Sequence, residues 1–475
     1  MRRKGNHKAM KKTRTESDSI GQMEVDADAY YGVQTLRAVT NFPITGEKMS
    51  PVFIRNLALI KKACAITNLE AGVLTKEKKE AIVKACDEVI SGKFLDQFLV
   101  DPIQGGAGTS ANMNMNEVIA NRANELCGGE KGKYDHVHPN DDVNKAQSTN
   151  DVIPTAGKMT VLSLLDPLEK EIDRLVASLQ KKAKEFSHVL KMGRTQLQDA
   201  VPMTMGESFS SYASSMERGK ERIAKASLEL TKINLGGTAI GTGINTTAYY
   251  REHIAENLSS LYGKKLTIAD NLFDATENLD SFVEVSGSLK AFAVSLDKFA
   301  NDLRLLSSGP RTGLHELNLP SRQNGSSIMP GKVNPVIPEV VNQVCFLVLG
   351  HDTTITMAAS EGQMELNAFE PVLFEQFFES ITSLTHAIQT LVDNCVEGIT
   401  VNKEHCFHLE QKSVGIVTAL VPYIGYVKSA EIAKKALKES RTVKEVLLEE
   451  GLMKEGEIDK ILNPEALAEE DEQTK

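Results

Sequence analysis

The stretch "NGSSIMPGKVNP", residues 324–335, places two serines and a lysine around a pair of glycines. Gly325 and Gly331 can absorb large backbone changes, as a mobile flap requires. Ser326 and Ser327 follow the first glycine, and Lys332 follows the second. No histidine lies close to Ser326 in the chain, so it does not read as a triad nucleophile. A serine can still work as a base where backbone N–H groups and an ammonium lower the cost of ionising its hydroxyl. Such a group would remove a proton.

Three further polar stretches interrupt helical patterns. They are "GGAGTSANMNMNE" (105–117), "HPNDDVNKAQSTND" (138–151) and "GRTQLQDAVPMT" (193–204). Each, like residues 324–335, is expected to end on or just before a helix. There Ser, Thr and Asn side chains meet unpaired backbone N–H groups, a setting that favours anions. Any one of them alone is an ordinary capped turn. Ser148-Thr149-Asn150-Asp151, taken by itself, reads as the N-cap of the following helix. "GTGINT" (241–246) lacks the third glycine and the preceding strand of a dinucleotide fingerprint.

Helices must position these stretches. In "LSLLDPLEKEIDRLVASLQKKAKEF", Leu162, Leu165, Leu168, Ile172, Leu175, Leu179 and Ala183 recur at spacings of three and four, a core-facing stripe. "SYASSMERGKERIAKASLELTKINL" and "LDSFVEVSGSLKAFAVSLDKFANDLRLLSSG" repeat the pattern. Two more long helices are expected, one from Pro338 onward and one over "EPVLFEQFFESITSLTHAIQTLVDNCVEG". The fold class is therefore mainly α, an elongated bundle of long helices. The expected organisation is a basic disordered extension (1–15), a helical N-terminal domain (16–150), a central bundle (151–402) and a small C-terminal helical domain (403–475).

Hydrophobic residues at 41% and charged residues at 25% match an ordinary globular chain of 475 residues and argue against general disorder. A net charge of −10 argues against a basic nucleic-acid surface or a polybasic membrane anchor. The six cysteines contain no CxxC pair and read as reduced, mostly buried thiols of a cytoplasmic protein. His405-Cys406-Phe407-His408 has no second cluster to complete a zinc site. No apolar run reaches bilayer length, and no signal-peptide core follows the start. The first fifteen residues hold seven Lys or Arg and no acid, without the serines or apolar face of a transit peptide.

The run "GSSIMPGKVNP" (325–335) resembles the signature of the aspartase/fumarase superfamily. The resemblance extends from "EVDADAYYGVQTLRA" (24–38) to the C-terminal helices. It implies a three-domain fold around a central helical bundle, assembled as a homotetramer whose sites draw residues from several subunits. Details look like the aspartate ammonia-lyase branch rather than class II fumarases. They are "KVNPVIPEVVNQV", Thr149 in "QSTND", "QGGAGTSANMNMNEVIANRA" and "GQMELNAFEPV". Gln196 stands where fumarases carry His, which argues against hydration chemistry that needs that group. Asp142 replaces the His of "HPNDHVN", so no second dicarboxylate site is expected there.

The implied reaction is reversible elimination of ammonia from L-aspartate to give fumarate. The resemblance makes Ser326 the catalytic base, acting through an enediolate-like carbanion. It assigns Thr109, Ser148, Thr149 and Ser327 to the side-chain carboxylate. Lys332, Asn334 and Thr195 fall to the α-carboxylate, and Asn150 and Gln196 to the amino group. No metal or organic cofactor is required by this chemistry, and the partners are the small dicarboxylates and ammonia. The alternatives are fumarase-like hydration of fumarate to L-malate, or a catalytically inactive helical scaffold.

Overall fold

The computed structural model describes residues 12–462. They form two compact units. The first takes the chain up to Leu168 with Arg222–Lys290 and Leu347–Ser383; the second takes Glu169–Glu221, Ala291–Phe346 and the chain from Leu384.

The chain begins with an antiparallel pair, β1 (Thr13–Ser17) and β2 (Gln22–Asp26). Residues 13–15, expected within the disordered extension, are strand instead, and residues 1–11 lie outside those described. Arg14 is the reason. Its guanidinium bonds Glu16 at 2.8 Å and donates to the carbonyls of Asp26, Ala27, Ala29 and Tyr31, which fixes the strand against the chain that follows.

Four helices follow: α1 (Val33–Asn41), α2 (Pro51–Glu70), α3 (Lys76–Ile90) and α4 (Thr109–Leu126). Gly32 has no side chain with which to cap α1, and a distant carboxylate does so instead. Glu117 of α4, buried, accepts the N–H groups of Gly32 and Gln34 at 2.8 Å and of Thr35 at 3.1 Å.

The long helices are α5 (Thr149–Glu185), α6 (Met205–Ser227), α8 (Asp280–Leu306), α9 (Val336–Ser360) and α10 (Glu370–Asn394), with α7 (Ala248–Tyr262) between α6 and α8. All five contain the expected apolar stripes. In α8, Phe282, Val285, Leu289, Phe292, Leu296, Phe299 and Leu303 alternate by three and four and are all buried. Glycines let large rings approach these helices. A Cβ on Gly157 would stand 2.2 Å from the Phe374 ring, and one on Gly219 would stand 2.6 Å from Phe292.

A hairpin of β3 (Leu190–Thr195) and β4 (Gln198–Thr204) joins α5 to α6. Short helices close the chain: α11 (Lys403–Lys412), α12 (Tyr426–Glu439), α13 (Val443–Glu449) and α14 (Glu455–Ile461). Ile416, Leu420, Ile432, Val446 and Leu447 form the core of this region. Among the described residues the strands make four two-stranded sheets, three antiparallel and one a short parallel pair of Lys232–Ile233 with Thr267–Ile268. Cys64, Cys86, Cys345, Cys395 and Cys406 are free and buried, and Cys127 is free and exposed. Among the described residues no helix is long and apolar enough to cross a membrane.

Candidate active site

In the first unit two of the polar stretches fold against each other at helix N-termini. Gly106, Ala107 and Gly108 all take positive φ (86°, 55° and 87°), which turns the chain sharply into α4. Gly108 must be small, because a Cβ there would lie 2.8 Å from Ile153 of α5. Thr109, exposed at the first position of α4, donates its hydroxyl to Gly106 O at 2.8 Å. One turn on, Asn112 reaches α5, its Nδ2 donating to Thr149 Oγ1 at 3.3 Å.

The start of α5 is capped in both directions. Ser148 Oγ accepts the Asn150 N–H at 3.2 Å, and Asp151 accepts the Ser148 N–H at 2.9 Å. The capping role expected for this turn is thus real, and it leaves the Ser148 hydroxyl hydrogen free to donate. Asp151 is fully buried and also accepts the N–H groups of Gly236 and Thr238 at 3.0 Å. Burial pushes its pKa up to about 6, against the pull of these three donors.

Pro154 lies inside α5 and has no N–H to offer the carbonyl four residues back, which belongs to Asn150. Asn234 supplies the missing donor, its Nδ2 meeting Asn150 O at 3.0 Å. Asn150 Nδ2 in turn donates to Ala239 O at 2.7 Å, so its Oδ1 acceptor is the group turned to other uses. The glycine-rich stretch containing "GTGINT" therefore wraps the start of α5.

The sequence reading missed the support beneath these two helix starts. Lys61 of α2 is fully buried and donates to Asn112 Oδ1, Asn144 Oδ1 and Gln147 Oε1 at 2.7, 2.9 and 2.8 Å. Burial pulls its pKa down to about 8. Its signal was present in "LALIKKACAI", where a charged residue occupies a core-facing position of an apolar helix. Asp142 is engaged as well, pairing both oxygens with Lys78 Nζ at 2.8 Å.

In the second unit, residues 193–204 are not a loop of free N–H groups, because the ladder of β3 and β4 pairs their backbone. Thr195 pairs with Gln198, so the turn is Gln196-Leu197, both left-handed (φ 55° and 61°). Two successive left-handed residues suit a tight hairpin. For Gln and Leu the conformation is strained, as is common at working sites. Thr195 and Gln196 are exposed at the tip. Arg194 anchors the hairpin on buried Glu316, 2.6 Å away, with Lys191 at 3.5 Å from the same carboxylate.

The 324–335 stretch is a loop closed at its neck. Gly325 N donates to Lys332 O at 2.9 Å, and Asn334 Nδ2 donates to Gly325 O at 2.6 Å. Within it Ser326 Oγ accepts the N–H groups of Ile328 at 3.2 Å and Met329 at 3.0 Å. Ser326, Ser327 and Lys332 line one open pocket, and the apolar Ile328 beside them is 83% exposed. The expected residues thus fall into three groups. Thr109 and Ser148–Asn150 lie together in the first unit; Thr195 with Gln196, and Ser326 with Ser327, Lys332 and Asn334, belong to the second.

Comparison with known proteins shows the family. A family model described as Lyase matches residues 21–350, and one described as Fumarase C C-terminus matches residues 416–469. The aspartate ammonia-lyase of Helicobacter pylori is 53% identical over 95% of this chain and 97% of its own. That of Escherichia coli is 50% identical over 96% of both. Among solved structures, a fumarate lyase:delta crystallin from Brucella melitensis bound to cobalt superposes with a TM-score of 0.94 at 48% identity, covering 96% of this chain and all of that one. The class II fumarase of Schistosoma mansoni gives 0.92 at 35% identity, covering 96% and 99%. A family match over most of its length and half identity to aspartate ammonia-lyases over nearly all of it mean that the chain belongs to the aspartase/fumarase superfamily.

Proposed function

We propose that the protein is a carbon–nitrogen lyase that reversibly deaminates L-aspartate to fumarate and ammonia, with Ser326 as the base. The observation that carries this reading is the pair of backbone N–H groups on Ser326 Oγ, which favour the ionised hydroxyl. Half identity to aspartate ammonia-lyases over nearly the whole chain supports the substrate.

The Ser326 alkoxide takes a proton from the carbon beside the side-chain carboxylate. The C–H electron pair moves into that carboxylate, giving a dianion of enediolate character. Thr109, Ser148, Thr149 and Ser327 donate to it, and donors that tighten as charge develops accelerate the step. Thr109 must swing its hydroxyl away from Gly106 O to do so. The electron pair then returns to form the C=C bond as the C–N bond breaks and ammonia leaves. Lys332, Asn334 and Thr195 hold the α-carboxylate, while Asn150 and Gln196 orient the amino group. Asn334 keeps one amide hydrogen on Gly325 O and has a second to offer.

We further infer a cytoplasmic homotetramer with composite sites. The exposure of Phe346 (60%) and Met357 (63%) on α9 leaves apolar surface for other copies to cover. The absorbance of fumarate decides the reaction. Formation from L-aspartate with ammonia release supports the lyase; formation from L-malate alone would make it a hydratase; neither would point to a scaffold. Light scattering of the pure protein tests the fourfold mass.

A further inference from the structure

We propose that Lys61 is a positioning residue for this reaction: its buried ammonium orients Asn112, and Asn112 aims the Thr149 hydroxyl hydrogen at the substrate carboxylate. The inference rests on the reading of Thr149 as a donor to that carboxylate.

A lysine ammonium has three donors and no acceptor, so an amide facing it must present oxygen. Lys61 meets three such oxygens, on Asn112, Asn144 and Gln147. With its Oδ1 held, Asn112 turns its Nδ2 outward, toward Thr149 Oγ1 at 3.3 Å and Asn144 Oδ1 at 3.2 Å. The Thr149 oxygen is then occupied as an acceptor, and its own hydrogen is left to donate. Gln147 is locked in the same way. Its Nε2 holds Val143 O at 2.9 Å and Lys145 O at 3.1 Å, which fixes the turn carrying Ser148 and Thr149.

Packing does not account for this lysine. Among the described residues no carboxylate stands within ion-pair distance of its ammonium. Asp151 of α5, Cys64 of α2 and Cys86 of α3 are the titratable groups that act on it. An apolar side chain of similar length would fill the same space without burying a charge. A cation one amide away from the Thr149 hydroxyl does have a use where negative charge must be stabilised.

Two variants of the full-length protein test the role. Asn112→Asp gives Lys61 a carboxylate partner, so the fold should hold. It replaces the donor facing Thr149 with an acceptor, which draws the hydroxyl hydrogen away from the substrate. Lys61→Met removes the ammonium. We expect each to lower kcat for L-aspartate by between about tenfold and about a thousandfold, with little change in KM, because the lost donor matters most in the transition state. The melting temperature of Asn112→Asp should not fall, which a merely structural role would not allow alongside the loss of kcat. Should Lys61→Met fail to fold, Asn112→Asp still decides. A wild-type kcat in either folded variant overturns the role of Lys61 alone. Wild-type protein that forms no fumarate from L-aspartate overturns both this role and the functional reading.

Discussion

Gly325 and Lys332 meet across the neck of the serine loop, the glycine N–H donating to the lysine carbonyl at 2.9 Å. A Cβ on Gly325 would lie 2.2 Å from that oxygen. This glycine is required for close approach, whereas Gly331, with φ of 80° and open space around it, is required for its backbone conformation. Gly325→Ala should therefore open the neck and misplace Ser326. We expect kcat to fall by about tenfold or more while the melting temperature moves little, since the loop is exposed. A normal kcat would show that the neck does not set the geometry of Ser326.

Ser326→Ala removes the proposed base without touching a buried group. Fumarate formation should drop by about a hundredfold or more, with unchanged circular dichroism. Turnover retained in the alanine variant would exclude Ser326 as the base.

Arg194→Met leaves Glu316 buried with only the more distant Lys191 beside it. Removing one partner of a buried pair costs about 3–5 kcal/mol. Denaturant unfolding should show that loss, and KM for L-aspartate should rise as the Thr195–Gln196 tip loosens. Double replacement with an apolar pair, Arg194→Met with Glu316→Leu, should recover much of the stability.

Glu117→Gln keeps the shape of the α1 cap but swaps one acceptor for an amide among four donors, which include Thr35 Oγ1 at 2.6 Å. Hydrogen bonds to a charged group are worth about 1.5–3 kcal/mol each. A melting temperature lowered by several degrees is expected; an unchanged one would mean that α1 does not depend on this carboxylate.

Lys61 also makes a pH signature. Its folded pKa of about 8 lies below the ordinary 10.5, so between these values the unfolded chain holds more protons and stability rises with pH. The full effect is at most about 3 kcal/mol. Asp151, Cys64 and Cys86 share the site and titrate too, so the readout is the difference between wild type and Lys61→Met at fixed concentration. From pH 7.5 to 10 the wild type should gain on the variant. A constant difference would mean that the lysine keeps its ordinary pKa.

The sequence alone determined the long helices, because a stripe at spacings of three and four has one efficient way to be buried, as α8 shows. It also marked out the serine loop, since eleven consecutive residues of unusual composition set residues 325–335 apart from the helices around them. Local pattern misjudged residues 13–15, whose order comes from carbonyls up to Tyr31 that no window around Arg14 contains. It misjudged residues 193–204 for the same reason, because strand pairing depends on both arms and on a strained turn. Only the tertiary structure disclosed which groups meet the buried Lys61 and Asp151 at the starts of α4 and α5. A buried ion is tolerated only when groups distant in sequence arrive to solvate it, and their arrival is a property of the fold.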